Sequence, residues 1–221
     1  MAPADNMLSV NEVAVVTSVP PRAVNEIVDK AILPSRFVVR GSRRALLPHA
    51  CYLVAVYWDT GDQLTKSERL RIVNQLSDQL GQAAAPPGMP PLRWRLPNLG
   101  SYVLHEGFLT VDLRPILRRV EKGGELLNEA KAIVVVDPDI LGGMPVIKGT
   151  RIPVHDVAAS VRENIPAERI LRAYPALTEQ KITLAKLWSD AHPPRGKPRR
   201  VIDDVPAAKL RSEVRVRRKA A

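Results

Sequence analysis

The apolar positions of this 221-residue chain change their spacing several times along its length. Residues 7–16 read as a first helix, with Ser9 as N-cap and Glu12 three residues on, the spacing of a capping box. Thr17, Ser18 and Val19 break the pattern. Pro20 and Pro21 then open a second helix that reaches about Lys30, because proline suits a first helical turn. Its apolar residues Ala23, Val24, Ile27, Val28 and Ala31 recur at helical spacing. A short helix, a three-residue turn and a second helix make a helix-turn-helix pattern. Phe37–Val39 and Ala45–Leu47 then flank Gly41 as a β-hairpin, placed as a wing. Pro48–Trp58 is a helix apolar on all sides, expected to be buried in a dimer or domain interface.

Thr65–Leu80 is an amphipathic helix, with Leu64, Leu70, Val73, Leu76 and Leu80 on one stripe and Gly81 at its end. The stretch from Ala83 to Pro91 holds four prolines and no periodicity, which reads as a semi-rigid linker. Ser101–Glu106 and Phe108–Asp112 alternate as a hairpin. Leu113–Glu129 is helical, with Gly123 and Gly124 expected to interrupt it or end it early. Ile133–Asp137 reads as a short buried strand. Three helices follow, His155–Arg162, Ala167–Ala173 and Thr178–Asp190. The fold class is mainly α with small β elements, that is α+β. The boundaries fall as 1–81, a winged unit plus the amphipathic helix; 82–97, a proline-rich linker; 98–191, a small β element and a three-helix bundle; and 192–221, an extended tail.

Two segments resemble known families. Leu8–Ala14, Val19–Val24, and Arg43 and Arg44 before Leu47-Pro48 resemble the DNA-binding domain of MerR-like winged-helix regulators. The resemblance places the exposed face of the second helix in the major groove. That face carries Arg22, Asn25, Glu26 and Asp29; Arg22 and Asn25 suit guanine and adenine edges, whereas the two carboxylates repel phosphate. Arg36, Arg40, Arg43 and Arg44 of the wing suit backbone or minor-groove contact. Further on, Gly143-Met-Pro145-Val-Ile147-Lys-Gly149-Thr150-Arg151-Ile152-Pro153-Val154 resembles the signature of a domain-of-unknown-function family found in VapB-type antitoxins, and the likeness runs over 137–190. It implies a short β element, then a three-helix bundle containing a helix-turn-helix, often dimeric. Asn164 stands where that family commonly has glycine, and asparagine tolerates the left-handed cap. Thr150 and Arg151 are read as pinning the turn through backbone carbonyls and acid groups such as Asp137; the other reading is a nucleic-acid or toxin contact.

Charge changes the picture most at the end of the chain. The net charge is +10, yet residues 192–221 carry ten cations against three anions. The body is therefore almost neutral and the tail strongly basic, which suits a polyanion or an acidic protein surface. Aliphatic residues interrupt the tail's charges, as expected of a segment that folds onto a partner groove. The single cysteine, Cys51, allows no intrachain disulfide, no apolar run reaches membrane-spanning length, and no signal peptide is evident; a cytoplasmic place is expected. Four scattered histidines and one cysteine suggest no metal site, and no nucleophile motif appears, so neither catalysis nor a cofactor is expected.

These readings converge on an antitoxin. The family resemblance implies a cognate PIN-domain ribonuclease of the VapC type, with clustered carboxylates holding Mg²⁺. Arg199, Arg200, Arg211, Arg215, Arg217 and Arg218, with Val205, Leu210, Val214 and Val216 as apolar anchors, are the expected toxin contacts. An arginine among those carboxylates would neutralise them and displace the metal. The remaining expected partners are double-stranded operator DNA and a second copy of the chain, as a homodimer or a higher assembly with toxin. A cut after Asp190 is expected to abolish neutralisation and spare folding. The alternative is a stand-alone MerR-like regulator whose tail binds DNA non-specifically.

Overall fold

The computed structural model describes residues 7–40, 44–82, 94, 96, 102–106 and 109–194. Helix α1 (Val10–Thr17) starts at Ser9, whose hydroxyl accepts from the Glu12 amide while the Glu12 carboxylate accepts from the Ser9 amide. The chain then turns through Ser18, which lies in the left-handed region at φ 58°, and α2 (Pro21–Asp29) begins after Pro20. A 3-10 turn at Ser35–Phe37 leads into β1 (Val38–Arg40), which pairs antiparallel with β2 (Arg44–Leu46). Leu8 adds a bridge to Leu46 with two backbone bonds of 2.8 Å, so the chain just before α1 is sewn to the hairpin.

Helix α3 (Ala50–Asp59) is buried from Ala50 to Val56. The partners that cover it are in the same chain, namely α1, α4 (Lys66–Gln82) and α5 (Arg114–Ala132). The expected stripe of α4 faces inward, with Val73, Leu76 and Leu80 fully buried and Leu64 and Leu70 packed at its margin. Between them, β3 (Val103–Glu106) and β4 (Leu109–Asp112) form the expected hairpin.

The glycine pair corrects the sequence reading. Helix α5 runs unbroken through Gly123 and Gly124, and the reason is packing. A Cβ on Gly124 would fall 1.9 Å from the indole of Trp94, and one on Gly123 would fall 2.3 Å from the carbonyl oxygen of Val16. The missing side chains let a ring and a neighbouring helix backbone lie against α5, which outweighs the weak helix propensity of glycine. Trp94 and Leu96 thereby belong to the first core, the Trp94 carbonyl accepting from the Tyr52 hydroxyl and the Leu96 amide donating to Glu121 at 2.7 Å.

The segment read as a buried strand is shorter and more open than expected. Only Val134–Val135 pair, as β5 against β6 (Val146–Ile147), and Val136 is 62% exposed. After a Pro153 N-cap come α6 (Val154–Arg162), α7 (Ala167–Ala173) and α8 (Glu179–Ala191), the last capped by the Thr178 hydroxyl. Asn164 adopts φ 57°, as its identity suggested. The molecule has two apolar clusters, one built on α1–α5 and one on β5–β6 and α6–α8. Helix α8 serves both, with Ala191 in the first cluster and Ile182, Leu184, Ala185 and Trp188 in the second.

Candidate nucleic-acid interface and the seam behind it

The α1–α2 turn is fixed by local chemistry. The Val19 amide reaches back to the Ala14 carbonyl at 3.2 Å, the Thr17 hydroxyl bonds Val13 O at 2.7 Å, and Val19 and Val24 fill the core beneath. This leaves Arg22, Glu26 and Asp29 on the outer face of α2, with Asn25 half-buried. The structure brings three of the recognised residues together. Arg44 of β2 reaches α2, where it donates to Asn25 Oδ1 at 2.7 Å and pairs with Asp29 at 2.6 Å. Asn25 also donates to the Pro21 carbonyl at 3.1 Å. Arg36 turns away from the hairpin to α4, with Asp78 at 2.9 Å and Ser77 at 3.0 Å, and lies over the Phe37 ring. Arg22 makes no ion pair among the described residues. Arg40 ends β1, with its side chain outside the described residues, and Arg43 lies outside them altogether. Lys30 is held by Glu26 at 3.0 Å. Most of the described charge on this face is thus internally balanced.

Behind that face lies a polar cluster that no local motif announces. Glu12, nearly buried, meets Lys131 from the end of α5 at 2.5 Å and His192, just past α8, at 3.4 Å. Burial alone would raise the Glu12 pKa, but hydrogen bonds from His192, Lys131 and Ser9, together with the Lys131 charge, hold it at about 2. His192 stacks on Trp188 at 4.5 Å, and Trp188 in turn leans on His155. A second polar set continues the seam: Ser189 bonds both His155 Nδ1 and Arg162 at 2.9 Å, while Asp190 takes Arg162 at 2.7 Å and Lys186 at 2.8 Å. Burial opposes the Asp190 carboxylate, and these two cations more than offset it, so its pKa is lowered. A cleft of about 460 Å³ opens here, walled by Ala14, Val15, Val19 and Pro20 from one side and by Arg162 and Asp190 from the other. The capping-box reading found Glu12 but only its local role; its distant partners carry no sequence signal.

In the signature segment, Thr150 pins its turn as expected. Its hydroxyl donates to Ile147 O at 2.7 Å and accepts from the Ile152 amide at 3.1 Å. Arg151 does not share that role: it is exposed, and the Asp137 carboxylate accepts the Asp139 amide instead. The other arginines without an ion pair among the described residues in this half are Arg169 and Arg172 on α7. The tail residues Arg199, Arg200, Val205, Leu210, Arg211, Val214, Arg215, Val216, Arg217 and Arg218 lie outside the described residues. Among the described residues no group of three or more His, Cys, Asp or Glu side chains is placed to hold a metal ion. No helix there is long and apolar enough to cross a membrane.

Residues 134–187, the part of the molecule built on β5–β6 and α6–α8, match the family described as protein of unknown function, DUF433. Over its greater length the chain belongs to the same family as the uncharacterized protein y4eO of Sinorhizobium fredii, with which it is 42% identical over 200 residues, 90% of this chain and 87% of that one. No solved structure matches it.

Proposed function

We propose that the chain is the antitoxin of a type II toxin–antitoxin pair, neutralising a PIN-domain ribonuclease through its basic tail and binding operator DNA to repress its own operon. The observation that carries this reading is the separation of charge. In the body, Arg36, Arg44, Arg114 and Arg119 each face a carboxylate of the same chain at 2.9 Å or less. The tail concentrates ten cations with valines and leucine among them. A body in which many arginines already face carboxylates, followed by a tail that gathers ten cations, fits a scaffold with a partner-binding arm, whose arginines complement a carboxylate-lined nuclease site.

DNA contact draws on α2 and the wing. Arg22 stands ready, whereas Arg44 reaches phosphate only by leaving Asp29, so operator affinity is expected to be modest and salt-sensitive. The regulator reading keeps support from Arg22, Arg169 and Arg172, which have no ion pair among the described residues and in that case contact DNA together with the tail.

The experiment is co-expression of the chain with a PIN-domain ribonuclease from the same genome. The cut must fall after Pro194, not after Asp190, because Ala191 is part of the first core and His192 contacts Glu12. Full-length protein should rescue growth, and the protein ending at Pro194 should fold and fail to rescue. Full rescue by the shortened protein, or no rescue by the full chain with any such nuclease, overturns the antitoxin reading.

A further inference from the structure

Among the described residues nothing pairs with the outer edge of β5, and its surroundings specify what fits it. Among the described residues β5 has one neighbour, β6, in a two-stranded sheet. The Lys148 amide donates to Ile133 O at 2.8 Å, and Val134 pairs with Ile147 and Val135 with Val146. In an antiparallel ladder the hydrogen-bonded pairs alternate, so the Ile133 carbonyl and the backbone groups of Val135 face β6, while the Ile133 amide closes α5 on the Glu129 carbonyl at 3.2 Å. The groups of Val134 and Val136 point the other way, where no described backbone atom meets them. β6 agrees with this phase, since the Ile147 amide and the Pro145 carbonyl bond away from β5, to Ile152 and Val154. A two-residue pair with one bare edge is marginal by itself.

The side chains add direction. Val134 and Ile147 share a face, and Ile147 is fully buried in the second core. Val136 continues that face beyond the core and is 62% exposed. Leu141 and Met144 follow at 43% and 50% exposure, so three of the five large exposed apolar residues described sit within this short stretch.

We propose that a second copy of this chain covers the edge, β5 against β5 about a two-fold axis at Val135, giving a four-stranded sheet in the order β6-β5-β5-β6. The register follows from three facts. Centred on Val135, Val134 of each copy faces Val136 of the other, and all four outward pairs of backbone groups are used. Centred on Val134, Val136 would meet Ala132, which is in α5; centred on Val136, Val134 would meet Pro138, which has no amide hydrogen. Each alternative loses half the bonds. In the chosen register Val136 lies beside Val134 and Ile147 of the other copy and extends its core. Asp137 of the second copy falls opposite Ile133, in the same row and on the same face as Lys148. Two strand spacings, about 10 Å, separate the two backbones, which a lysine spans. Lys148 is exposed and has no carboxylate partner among the described residues, and the two-fold axis makes the complementary pair twice. This interface stands whether or not the toxin reading does.

The test uses the full chain. Cys51 is fully buried, so a single introduced thiol reports alone. In this register Val135 faces its own symmetry mate in a non-hydrogen-bonded pair, at about 4.5 Å between Cα atoms, within disulfide range. Val136 lies about 8 Å from its own mate, outside that range. Under mild oxidation V135C should form covalent dimer at least tenfold faster than V136C, and the unmodified chain should sediment as a dimer at tens of micromolar. V136D, a change at an exposed position, should weaken the dimer at least tenfold and leave the far-ultraviolet circular dichroism unchanged. A monomeric chain, equal cross-linking of the two variants, faster cross-linking of V136C, or an unaffected V136D dimer overturns the proposal.

Discussion

Helix pairs α1–α2 and α6–α7 turn the chain by the same device and use it differently. Ser18 and Asn164 take the left-handed conformation at φ 58° and 57°. The next residues, Val19 and Ile165, bond back five positions to Ala14 and Ser160 at 3.2 and 3.1 Å. Then Pro20 and Pro166 cap the following helices with nearly equal dihedrals, φ −56° and −57°. An αL residue, an aliphatic and a proline thus make one turn twice. Around the first turn Lys30, Arg36 and Arg44 are paired with Glu26, Asp78 and Asp29, and Arg22 alone of the described cations there has no carboxylate partner. Around the second, Arg169 and Arg172 are exposed and have no described carboxylate. Local sequence sets the turn; what each pair offers a partner is set by distant neighbours. Helix α8 is the joint between the two units, with Ile182, Trp188 and Ala191 all buried.

The joint gives the largest expected effect. Trp188→Ala removes the ring between His155 and His192 and should cost about 3–5 kcal/mol. Thermal unfolding should split into two transitions if the units are held together there, and a single transition would show a more uniform body. Glu12→Gln leaves Lys131 without its carboxylate and should cost about 2–3 kcal/mol in denaturant titration at neutral pH. The pH dependence has a definite sign. The folded pKa of Glu12 lies below the ordinary 4.5, so its contribution is present above 4.5 and is lost as pH falls toward about 2. Glu12→Gln should flatten stability across that window. Gly124→Ala is favourable for an isolated helix by about 1 kcal/mol, yet the Trp94 contact should make it destabilising by about 1–3 kcal/mol. A raised melting temperature would contradict that packing. Smallest is the pair of turns: Ser18→Gly and Asn164→Gly should each stabilise by up to about 1 kcal/mol, equally if the turns are equivalent.

Much of this fold is legible locally. The Ser9–Glu12 box, the Pro20–Pro21 helix start, the α4 stripe and the Asn164 cap each act within a few residues, and each stands where the residues place it. What was not legible depends on contacts far along the chain. Gly123 and Gly124 read as breakers until Val16 and Trp94 are seen against them. Val136 reads as buried until the strand is seen to stop at Val135. Of the interface residues, Arg36 and Arg44 were identified as cations, but their ion pairs with Asp78 and Asp29 cross between elements. Releasing Arg44 by Asp29→Asn is therefore expected to raise affinity for duplex DNA severalfold at low salt, with the gain fading as salt rises.

The proposed division between a folded body and a partner-binding tail is tested most directly by calorimetric titration. The full chain and the chain ending at Pro194 would each be titrated into a catalytically inactivated PIN-domain ribonuclease that the full chain neutralises. The full chain should bind in high salt, and the shortened chain, with an unchanged melting temperature, should bind at least a hundredfold more weakly. Equal affinity of the two would place the toxin contact on the body and contradict the division.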